Sequence, residues 1–250
     1  MSVPSSGHAP LAAELIETAR AMERKGINNG TAGNVSARVG DGMLVTPSGV
    51  PYDQVTVGHV IHMNFDTSWR ALGATEDTAL GATEDTALGA TEETALGSPR
   101  PSSEWRFHLD ILQARPEVNA VVHAHPTAAT ALSTHSRGIG PFHYMVGVAG
   151  GEDIRCAEYA TFGTEELSRN ALRALEQRKA CLLAHHGILA VGADLAGALA
   201  LAVEVEVLAG QYLAALAIGE PPQLTSEQMG AVLDKMASPD GYGSSPAPDA

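Results

Sequence analysis

The sequence predicts an α/β fold, on three observations. Short apolar runs of strand length alternate with longer stretches of helical periodicity. Turns rich in glycine, proline and serine separate them. Neither a G-x-G-x-x-G nor a P-loop follows any of the runs, so a nucleotide-binding arrangement has no support. At 250 residues the chain is long enough for one substantial core.

Residues 1–9 read as a flexible tail, and 10–236 as one domain. The stretch 10–25 is an amphipathic helix with Leu11, Leu15, Ala19 and Met22 on one stripe. The glycine- and hydroxyl-rich stretch 26–36 is a turn running into a strand. A second strand at 42–46 is closed by Pro47, Ser48 and Gly49, and a third is expected at 57–65. Residues 71–94 are three copies of an eight-residue unit, Ala-Leu-Gly-Ala-Thr-Glu-Asp/Glu-Thr, and a fourth begins at Ala95. Three copies are too few for a solenoid. One leucine per copy cannot offset the entropy of ordering the rest, so 71–98 reads as an acidic surface-loop insert.

Beyond it, Ser102 or Ser103 is the natural cap of a helix running to about Arg115, which Pro116 ends. A strand at 120–125 and a helix at 128–132 follow. An apolar run at 141–148 reads as a strand ended by Gly150 and Gly151. Thr164 caps a helix at 164–177 with Glu165 and Glu166 in its first turn. A buried strand at 180–185 is broken by Gly187. Asp194 caps an alanine-rich helix reaching about Ile218, and a short helix at 226–236 precedes a flexible tail at 237–250.

The formal net charge is -14, with 44% hydrophobic residues. Nucleic-acid binders cluster Lys and Arg on one face, so neither nucleic acid nor an anionic membrane surface is an expected partner. Six of the acids (Glu76, Asp77, Glu84, Asp85, Glu92 and Glu93) belong to the repeat. Cys156 and Cys181 make no disulfide framework, which fits a reducing cytoplasm. The first residues lack the basic and apolar regions of a signal peptide. The longest apolar stretch, 195–203, is interrupted by Glu204 and Glu206, short of the ~20 residues a span needs.

The chemistry centres on His123 and His125, at the end of an apolar run. On a strand, residues two apart project on the same face. Two imidazoles so placed supply two corners of a metal site, although two polar residues closing a strand would look the same. A third histidine is best sought at His185 or His186 and an acid at Glu104. Three histidines with one displaceable position suit catalytic rather than structural zinc. Three turns, at Thr31 and Asn34, at Ser48 and Gly49, and at Ser102 and Ser103, could hold a phosphate through amides and hydroxyls, without Lys or Arg.

Seven ordered motifs carry a resemblance. They are Gly-Thr-Ala-Gly-Asn-Val-Ser (30–36), Thr-Pro-Ser-Gly-Val-Pro-Tyr (46–52), Pro-Ser-Ser-Glu-Trp-Arg-Phe-His (101–108), Val-Val-His-Ala-His (121–125), His-Tyr-Met-Val (143–146), Ala-Thr-Phe-Gly-Thr (160–164) and His-His-Gly (185–187). Over about 10–236 the chain resembles the class II aldolase/adducin family, and within it the bacterial L-fuculose-phosphate aldolases.

The resemblance implies a three-layer αβα sandwich around a mostly antiparallel sheet, assembled as a fourfold-symmetric homotetramer with active sites between subunits. It implies that His123, His125 and His186 bind zinc (manganese or cobalt as substitutes), with Glu104 as a movable carboxylate ligand and base. Thr31, Asn34, Ser48, Gly49, Ser102 and Ser103 would hold the phosphate of a ketose 1-phosphate, and Tyr144 of a neighbouring subunit would move a proton. A tail tyrosine that closes over the site in the family has only an offset match here, Tyr242. Related activities also belong to the superfamily. Its 4-epimerases carry aspartate where this chain has Glu104, a methylthioribulose-phosphate dehydratase is more distant, and the non-catalytic adducin heads lack the metal ligands. His108 and His143 are expected to be hydrogen-bonded structural groups, His135 to lie on a surface loop, and His59 and His62, three apart on a strand, not to share one face.

Overall fold

The computed structural model of the protein describes residues 5–74 and 99–238. Expectations for the repeat beyond residue 74, for Tyr242 and for the C-terminal tail fall outside those residues. Among the described residues there are eight strands: β1 (Asn34–Val39), β2 (Gly42–Val45), β3 (Ile61–Asn64), β4 (Trp69–Ala71), β5 (Ala120–Ala124), β6 (Arg155–Ala157), β7 (Ala180–Leu183) and β8 (Gly187–Gly192). They form one sheet in the order β4-β3-β2-β1-β5-β8-β7-β6, antiparallel throughout except for the β6–β7 pair.

Six helices cover it: α1 (Ala9–Arg24), α2 (Trp105–Ala114), α3 (Thr127–Ser133), α4 (Glu165–Ala174), α5 (Leu195–Leu216) and α6 (Ser226–Ala237). Strand alternation assigns the layers. Ala120, Val122 and Ala124 of β5 pack with Leu15 and Met22 of α1 and Leu208 of α5. Val121 turns to the other face, where Phe107 and Leu112 of α2 meet Leu167 of α4. The result is the expected αβα sandwich with a central, mostly antiparallel sheet. His123 leaves β5 on the face of Val121, toward α2.

Helix α1 buries Leu15, Ala19 and Met22 of the predicted stripe together with Ala12 and Ile16, while Leu11 is only partly buried. The Thr164 and Asp194 hydroxyl and carboxylate caps are both formed, to Leu167 N and Gly197 N. By length and composition α5 could cross a membrane. In the fold one side of it packs on the sheet, and Glu206 gives both carboxylate oxygens to the backbone N–H groups of Ala128 (2.8 Å) and Ala129 (2.9 Å) at the start of α3.

Four local expectations are corrected. Residues 5–8, expected within a flexible tail, form a 3-10 turn leading into α1, with the His8 ring 5.0 Å from that of His62. The stretch expected as a strand over 57–65 begins as a 3-10 turn at Val57–His59, and only Ile61–Asn64 joins the sheet. The run read as a strand at 141–148 contains a 3-10 helix, Tyr144–Ala149, whose Met145 N–H donates to His143 Nδ1 and which ends at Gly150 in the left-handed region. Gly187 does not merely break a strand. It opens β8, and the preceding turn places His185 at φ 56°.

The repeat meets the fold at its first copy. Ala71 pairs with Ile61, Leu72 N–H donates to Val60 O at 2.9 Å, and Gly73 N–H donates to Gly58 O at 3.0 Å. Deleting 71–94 brings Ala95, Leu96 and Gly97, the same three residue types, into those positions. Loop shortening of this kind changes closure entropy little. The deletion variant is expected to keep activity within about twofold and its melting temperature within a few degrees, by steady-state assay and thermal unfolding.

Candidate active site

Glu104, His123, His125 and His186 converge, with one ligand atom from each lying within 4.8 Å of every other. They arrive from three pieces of the fold. Glu104 stands immediately before α2. His123 is the penultimate residue of β5 and His125 directly follows the strand. His186 sits in the β7–β8 turn, where the 185–186 backbone is seated on Ser133. The three imidazole rings are separated by 4.7, 4.8 and 4.8 Å between centroids.

The donor set suits a divalent cation. His123 Nδ1 lies 2.8 Å from the Ile188 carbonyl oxygen. A carbonyl only accepts, so Nδ1 carries the proton and Nε2 presents its lone pair inward. His123 Nε2 is 2.8 Å from His125 Nε2 and 3.1 Å from Glu104 Oε2, and Glu104 Oε1 is 3.0 Å from His186 Nε2. Tetrahedral zinc with bonds of about 2.0–2.1 Å separates its ligand atoms by roughly 3.3 Å, so small outward shifts would admit the ion. These four residues fit the group.

The electrostatics agree. Burial opposes ionisation of Glu104, but the flanking His123 and His186 outweigh it and hold the carboxyl well below the usual range. Burial, with His123 and His186 nearby, pushes His125 down to about 3, so its imidazole is neutral and able to ligate. The core residue His108 is likewise pushed to about 3, mainly by burial.

The three hydroxyl-rich turns gather at the same end of the sheet. Asn34 pairs with His123 across β1–β5, which places the 30–33 loop beside the histidines. Ser48 N–H donates to Arg100 O at 2.8 Å and Ser102 N–H to Thr46 O at 3.2 Å, so the second and third turns are laced together. Tyr52 donates its hydroxyl to Gly33 O, fastening the second turn to the first.

The sequence profile of the Class II Aldolase and Adducin N-terminal domain family matches residues 13–213. The chain belongs to the class II aldolase and adducin family. It is 46% identical to the 5-methylthioribulose-1-phosphate/5-deoxyribulose-1-phosphate aldolase of Rhodospirillum rubrum, over 94% of this chain and 95% of that one. It is also 46% identical to the L-fuculose phosphate aldolase of Escherichia coli K12, over 90% and 93%. A solved L-fuculose 1-phosphate aldolase superposes with a TM-score of 0.78 at 34% identity, over 91% and 96% of the two chains. The protein is a class II aldolase, and so a lyase.

Within the aldolase, the sequence-predicted residues divide. Thr31, Ser48, Gly49 and Ser103 are exposed on their turns, Gly49 in the left-handed region at φ 70°. Ser102 is buried, and its hydroxyl accepts from Glu104 N–H at 3.3 Å instead of capping α2 directly. Helix α2 begins at Trp105 with Glu104 at its cap position and no side-chain cap, because that carboxylate is turned to the histidines. The Asn34 side chain is 3% exposed and is spent between Glu104 and His108 rather than on an open face. Tyr144 is 49% exposed at the start of its 3-10 helix, 4.8 Å from the His143 ring.

Sequence reasoning missed the fixing residues: Tyr52, Ser133, Glu206 and the Ile188 carbonyl. Gly187 belongs with them. A Cβ there would come within 2.7 Å of His125 Cδ2 and closer still to the Ala124 carbonyl oxygen. Gly187→Ala is therefore expected to cost about 1–3 kcal/mol by overpacking. Pushing His125 off its position should also lower kcat/KM by at least about tenfold. Thermal unfolding and steady-state rates check the two effects separately.

Proposed function

We propose that this aldolase reversibly cleaves a ketose 1-phosphate to dihydroxyacetone phosphate and a small aldehyde. The substrates favoured are L-fuculose 1-phosphate and the related 5-deoxy- and 5-methylthio-pentulose 1-phosphates, the compounds named for relatives aligned over nearly the full chain. The observation that carries the reading is the Glu104, His123, His125 and His186 cluster, a three-imidazole site whose fourth member is an ionised carboxylate.

In this reading the histidines hold zinc, with manganese or cobalt as substitutes. The bound ion supplies the Lewis acidity that accommodates negative charge when the carbon–carbon bond breaks. The residues do the rest. Thr31, Asn34, Ser48, Gly49, Ser102 and Ser103 bind the phosphate through side-chain hydroxyls and amide and through turn N–H groups. In the synthetic direction Glu104 takes a proton from the hydroxyl-bearing carbon of dihydroxyacetone phosphate. That carbon bonds to the aldehyde carbon, and the aldehyde oxygen receives a proton from Tyr144. Cleavage runs the same steps backward.

The exposure of Tyr144 fits a role across a subunit boundary, in a homotetramer working in the cytoplasm. Residues 10–236 act as the catalytic domain, and Tyr242 follows it as a candidate cover.

The test is to load the protein with zinc and offer a panel of ketose 1-phosphates, coupling dihydroxyacetone phosphate release to NADH oxidation. Release from at least one is expected, and release from none would sink the reading. Light scattering at assay concentration checks the tetramer.

A further inference from the structure

Behind the metal-type ligands, four buried side chains form one continuous hydrogen-bonded line. Ser36 Oγ lies 2.7 Å from His108 Nδ1. The opposite ring nitrogen, Nε2, meets Asn34 Oδ1, and Asn34 Nδ2 donates to Glu104 Oε2 at 3.0 Å. Ser36 and His108 have no exposed surface at all. The geometry follows from two spacings. Asn34 and Ser36 are two apart on β1 and leave the same face. Glu104 and His108 are four apart at the head of α2 and lie one above the other.

Chemistry fixes the direction of every bond. An ionised carboxylate only accepts, so Asn34 turns its NH2 to Glu104 and its carbonyl oxygen to His108. That oxygen also only accepts, so His108 carries its proton on Nε2. Nδ1 is then the lone-pair nitrogen, and the Ser36 hydroxyl donates to it. All three donors point toward the carboxylate, and bonds aligned in this way reinforce one another.

The two oxygens of Glu104 are thereby made unequal. Oε2 accepts the Asn34 hydrogen bond, while Oε1 makes no hydrogen bond and faces the His186 ring nitrogen Nε2 at 3.0 Å. We propose that His108 is a positioning residue: by fixing the Asn34 amide it pins Oε2, so that Glu104 pivots on that oxygen and offers Oε1 to the carbon-bound proton of the substrate. The assignment of the proton step rests on the aldolase reading, but the pinning of the carboxylate does not. A residue that only filled space at position 108 could be replaced by any side chain of similar volume.

The experiment compares His108→Leu, of similar volume without the donor, with His108→Gln, whose amide N–H can still reach Asn34. If the leucine variant does not fold, His108→Asn, polar but too short to reach Asn34, replaces it. Two readouts are used on protein that unfolds cooperatively. One is exchange of the carbon-bound hydrogen of dihydroxyacetone phosphate with D2O, followed by proton NMR without any aldehyde. The other is the visible spectrum of the cobalt-substituted protein, which reports how the carboxylate sits in the coordination sphere. The leucine variant is expected to slow exchange by about 10–100-fold, the scale of a misplaced catalytic group, with KM for dihydroxyacetone phosphate moved less than about threefold and the cobalt bands shifted. The glutamine variant is expected to recover both.

Wild-type exchange matched by the leucine variant with an unchanged cobalt spectrum would overturn the positioning role alone. So would a glutamine variant as impaired as the leucine one. A metal-loaded wild type that neither exchanges nor cleaves would sink the aldolase reading, and the cobalt spectrum would then decide the pinning by itself, shifted bands supporting it and unchanged bands ending it.

Discussion

Glu104→Gln is expected to lower kcat by about 10²–10⁴-fold, the range that a positioned general base supplies, while one metal ion per subunit remains bound. The two halves of this result have separate causes. The amide is the size of the carboxylate and can still accept from Asn34 through its oxygen, so the buried space stays filled and the line to His108 persists. His123, His125 and His186 keep three inward nitrogens, which is a sufficient protein ligand set for catalytic zinc. What disappears is the one carboxylate of the cluster. Its negative charge survives burial because His123 and His186 stand at 3.1 and 3.0 Å. A carboxylate so stabilised is a weak base until it leaves those partners, which is why a ligand that can move is needed for the proton step. Metal analysis and the coupled assay on the same sample check both halves. Undiminished turnover with metal bound would place the base elsewhere.

The His-x-His pair was legible because strand alternation alone puts His123 and His125 on one side. Glu104 and the His185–His186 pair were candidates from their places at a turn and at a strand end, but choosing His186 over His185 needed the resemblance, since nothing local tells a turn which side chain will meet residues sixty to eighty positions away. Other features were hidden for physical reasons. Gly187 looks like a breaker in sequence, yet it is demanded by the close approach of the Ala124 carbonyl and the His125 ring. The 3-10 helix Tyr144–Ala149 has the apolar run of a strand, and only its place outside the sheet distinguishes it. Asn34 sits in a glycine- and hydroxyl-rich stretch and reads as a phosphate ligand. Its partner His108 is a helical turn beyond Glu104, and that spacing, with Ser36 two residues after Asn34, was the available signal for the buried line.

His123→Ala is expected to weaken metal binding by more than about 100-fold and to abolish turnover at sub-micromolar zinc. Losing a mere outer hydrogen-bond partner of a ligating histidine typically costs 10–100-fold, and here the ligand itself goes. His123 is the most constrained of the three. It has no exposed surface, the Ile188 carbonyl fixes its tautomer at 2.8 Å, and the Phe107 ring stands edge-on at 5.2 Å. Its removal also leaves that buried carbonyl without its donor, a loss of about 1–3 kcal/mol, and takes one of two stabilising partners from Glu104. Both costs fall on the folded state, so the variant should unfold at lower temperature even without metal. The binding loss can be separated from this by linkage. An ion that binds only the folded protein stabilises it by about 2.7 kcal/mol at a hundredfold excess over Kd. Zinc should therefore raise the unfolding temperature of the wild type and leave that of His123→Ala nearly unmoved at the same concentration. An equal rise in both would mean that the ion is held without His123, and the site would then have to be drawn around His125, His186 and Glu104 alone.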